Sequence, residues 1–203
     1  MSVQAEKLDS GRRRFLIAAT TVTGVVGAGF TAVPFLASWK PSARAQALGA
    51  PVEQDVSKIE AGAILKVNWR GQAIYIVRRT REMLATLTDP KLTEQLRDPG
   101  SDESEQPDYT KNDTRALKSR PEFLVLVGVC THLGCAPIDK FAPKDPEIGA
   151  DWPGGFYCPC HGSRFDLAGR VFKDVPAPTN LRIPPYRFMT DALVQIGVDA
   201  EVA

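Results

Sequence analysis

Histidine is nearly absent from this chain and cysteine is scarce: two histidines and four cysteines occur in 203 residues, and all six fall between Cys130 and His161. No other part of the chain can bind a soft metal. The formal net charge is only +1, so no field of one sign covers the molecule, and composition offers no case for a nucleic-acid partner. Internal repeats and low-complexity tracts are missing as well, which excludes a solenoid or array. What remains is the composition of one globular core with appendages, and any function must come from a local site.

Charge is absent from one long stretch. Residues 1–14 are polar and end in Gly11-Arg12-Arg13-Arg14; from Phe15 to Trp39 no charged residue occurs, and the next charge is Lys40. About 25 residues rising 1.5 Å each can cross a hydrocarbon layer of roughly 30 Å. The stretch exceeds a secretory h-region of about 7–15 residues, so 15–39 is expected to be a transmembrane helix. Thr20, Thr21, Thr23, Gly24, Gly27, Gly29 and Thr31 make it only moderately apolar, as for a helix packed on other helices. The pair Arg12-Arg13 followed by Phe15-Leu16 resembles a twin-arginine export signal, a route for proteins folded around a cofactor. The competing reading is a signal peptide cut after Ala43-Arg44-Ala45. Lys7 and Arg12–Arg14 outnumber Lys40 and Arg44, which places the amino terminus in the cytoplasm and the bulk of the chain outside.

Residues 40–52 contain Ala, Pro and Gly without apolar periodicity and are expected to be a flexible linker or hinge. Residues 53–203 form the folded domain. Ile64–Trp69 and Ala73–Val77, separated by Arg70-Gly71-Gln72, predict a hairpin. Arg81–Leu87 and Lys91–Arg97 predict short helical turns, and the polar stretch Asp98–Lys118 a surface loop with a solvated acidic face. Phe123–Val129 is a continuous apolar run, typical of a buried strand, that delivers the chain into Cys130. Later strand candidates are Val171-Phe172, Arg187–Met189 and Leu193–Val198. The stretch between Cys135 and Cys158 is rich in Pro, Gly and charge and reads as a surface insertion.

Four cysteines in an exported domain could make two disulfides, with the histidines beside them a coincidence; four ligands of a structural Cys2His2 zinc site would leave two cysteines over. The order of residues is more specific than either. Cys130-Thr131-His132-Leu133-Gly134-Cys135 and Cys158-Pro159-Cys160-His161-Gly162-Ser163 are the two boxes Cys-x-His-x-Gly-Cys and Cys-x-Cys-His-x-Ser. They resemble those of the Rieske iron-sulfur family, and within it the iron-sulfur subunits of cytochrome bc1 complexes.

The resemblance covers residues about 120–182 strongly and the anchor and linker in outline. It implies an all-β fold, an antiparallel β-sandwich with a smaller inserted subdomain binding one [2Fe-2S] cluster. It further implies that Cys130 and Cys158 bind one iron, that His132 and His161 bind the other, and that Cys135 and Cys160 form a disulfide. Two thiolates cancel the charge of an oxidised core of two ferric ions and two sulfides, whereas four would leave it doubly negative, and an electron enters a neutral centre more readily. Potentials of this class accordingly reach about −150 to +300 mV, against about −400 mV for plant-type ferredoxins.

By the same resemblance Ser163 donates a hydrogen bond to the cluster, while the tyrosine usual two residues later is Phe165 here. Val175-Pro176-Ala177-Pro178 resembles the family's proline loop over the cluster. The implied activity is one-electron oxidation of ubiquinol, coupled to proton translocation, with delivery to a c-type cytochrome. His161, and less firmly His132, would be the docking and proton-accepting residues. The implied partners are cytochrome b and a c-type cytochrome subunit, in a dimeric complex of a bacterial inner membrane with the C-terminal domain in the periplasm. Oxygenase ferredoxins are the rival class; they generally lack equivalents of Cys135 and Cys160 and work in the cytoplasm, whereas an exported cluster tolerates a disulfide. Arsenite-oxidising and photosynthetic Rieske subunits are further relatives.

Overall fold

The computed structural model describes residues 9–200; residues 1–8, the first part of the predicted cytoplasmic segment, lie outside the described residues. The chain forms two compact units, one ending at Ala47 and the other beginning at Leu48.

The first unit is dominated by α1 (Ser10–Ala37), 28 residues long, or about 42 Å at 1.5 Å per residue. Its best 18-residue window has a mean hydropathy of 1.7, so it is long and apolar enough to cross a membrane. The helix starts earlier than the uncharged stretch because Asp9 caps it, its carboxylate accepting from the N–H groups of Gly11 and Arg12; Arg12–Arg14 therefore lie inside it. Three of the four threonines that dilute its hydropathy are satisfied internally. Thr20, Thr23 and Thr31 donate to the carbonyls of Leu16, Ala19 and Gly27 at 2.7–2.9 Å, which removes the cost of an unpaired hydroxyl in hydrocarbon. The segment expected to be an irregular linker carries a short helix, α2 (Ala43–Gly49). Just after it, within the second unit, the Trp69 indole donates to Ala50 O at 3.1 Å.

The second unit runs β1 (Val52–Asp55), β2 (Ile64–Trp69), β3 (Gln72–Arg78), α3 (Arg81–Thr86), α4 (Pro90–Gln95), β4 (Phe123–Val127), β5 (Ile138–Lys140), β6 (Gly155–Cys158), β7 (Ser163–Phe165), β8 (Tyr186–Phe188) and β9 (Leu193–Ile196). It holds three antiparallel three-stranded sheets, ordered β1-β9-β8, β2-β3-β4 and β5-β6-β7. The predicted β2–β3 hairpin is present, Ile64 opposite Val77 through Trp69 opposite Gln72. Its two-residue turn places Arg70 at φ 53° and Gly71 at φ 73°, the doubly positive pair that matches strand twist.

The middle sheet explains the apolar run before Cys130. Side chains alternate across a strand, and both faces of β3 and β4 are covered. Ile74, Ile76, Phe123, Val125 and Val127 pack with Trp69, Ile183, Tyr186, Val194 and Ile196, which is the sandwich core against β1, β8 and β9. Tyr75, Val77, Leu124 and Leu126 face the other way, into a second core with Phe156, Phe165, Leu181, Cys130 and Cys158. The small sheet β5-β6-β7 is thereby mounted on the sandwich through one apolar interface.

Two segments are more ordered than their polar composition predicts. Between Asp98 and Lys118, Asp98 is buried and its carboxylate accepts from Asp102 N, Glu103 N and the Ser104 hydroxyl. Arg115 is also buried, donating to Gln106 Oε1 and to the carbonyls of Ala168, Gly169 and Leu181. Likewise the 136–157 stretch folds back: Trp152 is buried, donates to Lys140 O and packs on Phe172. The expected strand at Val171-Phe172 exists only as isolated bridges to Phe165 and Leu96, and β8 starts one residue earlier than expected and stops at Phe188.

Burial pushes the Arg115 guanidinium down to about 10, the charges of Asp166 and Asp98 only partly opposing it, and its hydrogen-bond partners are neutral oxygens. Removing it would strand several buried carbonyls, each costing about 1–3 kcal/mol. Arg115→Met is therefore expected to lower stability by about 3 kcal/mol or more, read as a shift of the urea midpoint at unchanged slope.

Candidate metal centre

β4 and the β6–β7 hairpin deliver the two cysteine-histidine loops, and the loops have the same internal construction. In the first, Gly134 N donates to Cys130 O at 3.0 Å; in the second, Gly162 N donates to Cys158 O at 2.9 Å. Both glycines lie at positive φ, 84° and 74°, where a Cβ would be strained. Cys130, three residues past β4, and Cys158, the last residue of β6, thus each open a tight turn closed by the glycine four residues on. Cys130 N also donates to Cys135 O at 2.7 Å.

The tips are joined by a disulfide between Cys135 and Cys160, Cα–Cα 6.7 Å, the pairing that the resemblance implied. The sulfurs of Cys135, Cys158 and Cys160 lie within 4.8 Å of one another; since two of them are spent in the disulfide, Cys158 is the only free ligand of that trio. Cys130 and Cys158 are the two free cysteines, both buried. Burial is the main cause that pushes the Cys130 thiol up; the adjacent Cys158 adds to this, while the His132 N–H and the Ser163 hydroxyl oppose it. Iron coordination would override that balance, because a metal-bound thiol is deprotonated outright.

His132 and His161 lie on the outer side of the loops with ring centroids 4.8 Å apart and planes at 85°. His161 is exposed and His132 half-buried. The neighbouring Leu133, 72 % exposed, makes the tip apolar. The adjacent buried thiols of Cys130 and Cys158 and the adjacent imidazoles of His132 and His161, on loops joined by the disulfide, are the donor types of a centre with sulfur ligands on one iron and nitrogen ligands on the other, and this donor set is what supports the cluster assignment.

Three features around the loops position them. Ser163 lies opposite Cys158 across the hairpin and is fully buried. Its oxygen accepts from Ala177 N at 3.1 Å, which leaves its proton free for an acceptor on the Cys130 side. Phe165, two residues on and so on the same face of β7, is fully buried in the core that includes Cys130 and Cys158. Tyr75 Oη donates to Pro137 O at 2.9 Å, just past the first loop; burial pushes this phenol up, keeping it a donor. Its ring lies so close to Gly128 that a Cβ there would come within 2.3 Å of it. Sequence reasoning missed Tyr75 and Gly128, whose role is a long-range close approach. A glycine two residues before a candidate ligand was the only signal.

Comparisons with known proteins bear on the whole chain. Residues 94–186 match the family model described as the Rieske [2Fe-2S] domain, and residues 4–42 match the model of the ubiquitinol-cytochrome C reductase Fe-S subunit TAT signal. The chain is 56% identical over 201 residues to the ubiquinol-cytochrome c reductase iron-sulfur subunit of Allochromatium vinosum, covering 97% of this chain and 93% of the relative. It is 42% identical over 191 residues to the subunit of the same name from Rhodospirillum rubrum, covering 93% of each chain. The Bradyrhizobium diazoefficiens subunit is 40% identical over 186 residues, 92% of this chain and 94% of the relative.

Proposed function

Because the chain belongs to the family of ubiquinol-cytochrome c reductase iron-sulfur subunits, we propose that its two loops serve quinol oxidation, with Cys130 and Cys158 holding one iron of a [2Fe-2S] cluster and His132 and His161 the other. The chain is the membrane-anchored iron-sulfur subunit of a cytochrome bc1-type oxidoreductase and works as part of that complex. The ligand assignment is supported by two buried free thiols, Cys130 and Cys158, and two adjacent imidazoles carried on the same two loops, which the Cys135–Cys160 disulfide ties together.

When bound, the cluster supplies a one-electron acceptor whose neutral oxidised charge favours reduction. The chain's own groups do the rest. The exposed ring of His161 accepts a hydrogen bond from the quinol hydroxyl and then takes its proton at the ring nitrogen facing solvent. That nitrogen can hold a proton because the acidity imposed by a ferric ion falls when the ion is reduced. Leu133 and the proline-rich segment 175–178 exclude water around it. Cytochrome b supplies the other wall of the ubiquinol pocket at the subunit interface, and the domain swings on residues 40–52 to a c-type cytochrome. The complex is a dimer, with the cluster domain on the periplasmic side of a bacterial inner membrane and the amino terminus in the cytoplasm. The excess of Lys and Arg before α1 supports that orientation.

Two predictions follow from these assignments. Ser163→Ala removes a donor that stabilises the reduced state and should lower the midpoint potential, while Phe165→Tyr adds one and should raise it. A hydrogen bond to a charged acceptor is worth about 1.5–3 kcal/mol, and 59 mV corresponds to a tenfold change for one electron, so each shift is on the order of 60–130 mV. Protein-film voltammetry showing no shift in either variant would refute both donor roles. Separately, Ala50→Pro creates a rigid Pro-Pro pair with Pro51. It should slow cytochrome reduction severalfold while the cluster's spectrum stays intact; unchanged turnover of the assembled complex counts against the swing.

A further inference from the structure

The proline-rich segment 175–178 has almost no backbone ladder to hold it. Two of its four residues lack an N–H, and the Ala177 N–H is committed to Ser163. Its carbonyls go instead to side chains. The Arg97 guanidinium donates through Nη2 to Val175 O at 3.2 Å, and through Nη1 to Ala177 O at 3.1 Å and Pro178 O at 3.3 Å. Next along the chain, the Thr131 hydroxyl donates to Thr179 O at 2.7 Å. One fork therefore gathers three of the segment's four carbonyls, those of Val175, Ala177 and Pro178.

Arg97 is well placed for this, because its own backbone is anchored beside the segment's root. Arg97 N donates to Val171 O, Lys173 N donates to Gln95 O, and Leu96 bridges Phe172. Among the described residues no carboxylate pairs with Arg97, so the guanidinium has the loop as its partner and not an acid. What the clasp holds down is the wall of the site: Val175 and Ala177 are buried in the same core as Cys130 and Cys158, whereas Pro176 and Pro178 face solvent.

We infer that Arg97 is a positioning residue for the metal centre, its planar fork keeping segment 175–178 closed over the buried cysteines and the Ser163 donor. The inference rests on the cluster assignment given above. The requirement is geometric: two separate N–H edges must reach three carbonyls in fixed directions, which a single ammonium cannot do although it carries the same charge. Opening the segment would admit water and small chelators to Cys130 and Cys158, and would release the Ala177 N–H from Ser163.

The test uses the full chain in detergent with Arg97→Gln and Arg97→Lys. Freshly purified protein is followed by visible absorbance during exposure to an iron chelator, and by the EPR spectrum of the reduced state. Both variants should bleach about tenfold faster than the parent, with a broadened EPR line and undiminished initial intensity. Should Arg97→Gln fail to accumulate, Arg97→Lys, which keeps the charge and aliphatic stem, carries the test. Bleaching at the parental rate in both variants, or restoration of that rate by lysine, overturns the clasp. A colourless parent overturns the cluster assignment itself and the clasp with it, an outcome distinct from a coloured parent with unaffected variants.

Discussion

Replacing His161 by alanine is expected to give a folded protein that carries no cluster. His161 is exposed at the tip of the β6–β7 hairpin, contributes nothing to either core, and its loss as a surface group should change stability by no more than about 0.5 kcal/mol. As a ligand it is half of the nitrogen pair that its contact with His132 defines. Changing outer-shell partners of metal ligands already costs roughly 10–100-fold in metal affinity, so removing a ligand should exceed the upper figure. The reduced-state EPR signal should vanish and quinol-dependent cytochrome reduction by the complex should fall to background, with the far-UV circular dichroism unchanged. Retention of the signal would remove His161 from the ligand set.

The disulfide carries the second large effect. Cys135 and Cys160 are separated by 25 residues, and closing a loop of that size removes unfolded-state entropy worth about 3.5 kcal/mol at 25 °C in the chain-entropy description. The small sheet has only short strands, β5 and β7 with three residues each, so the loss falls on the part of the fold that holds the loops. Cys135→Ser and Cys160→Ser should each lower the urea midpoint and the iron content, and the double variant should resemble either single, since one bond is broken in every case. Additive effects of the two substitutions, or wild-type iron retention in both, would show that the cross-link does not hold the loops together.

The candidate site could be proposed from the sequence because the motifs that mark it are local. Both boxes are runs of six residues with fixed spacing, and the apolar run into Cys130 and the Arg70-Gly71 turn carry their own period and turn chemistry. The Cys135–Cys160 pairing came from family resemblance, and the structure contains it. What was not legible depends on contacts distant in sequence. The polar stretch 98–118 read as a surface loop, yet it buries Asp98 and Arg115 by matching them to backbone donors and carbonyls from other segments. The stretch 136–157 read as a surface insertion, yet Trp152 anchors it on Phe172. Composition reports the polarity of a side chain but not the partner that satisfies it. Similarly, α2 forms in seven residues with no apolar stripe to announce it, and Arg97 looked like the end of a short helical turn because carbonyl acceptors leave no trace in sequence.

Metal and acid-labile sulfide analysis of the purified full chain reads out directly whether a [2Fe-2S] centre is held between its two loops. Iron and sulfide are expected in equal amounts, two of each per chain as for a [2Fe-2S] domain, without zinc and with an EPR signal on reduction. One zinc per chain with no labile sulfide would contradict it.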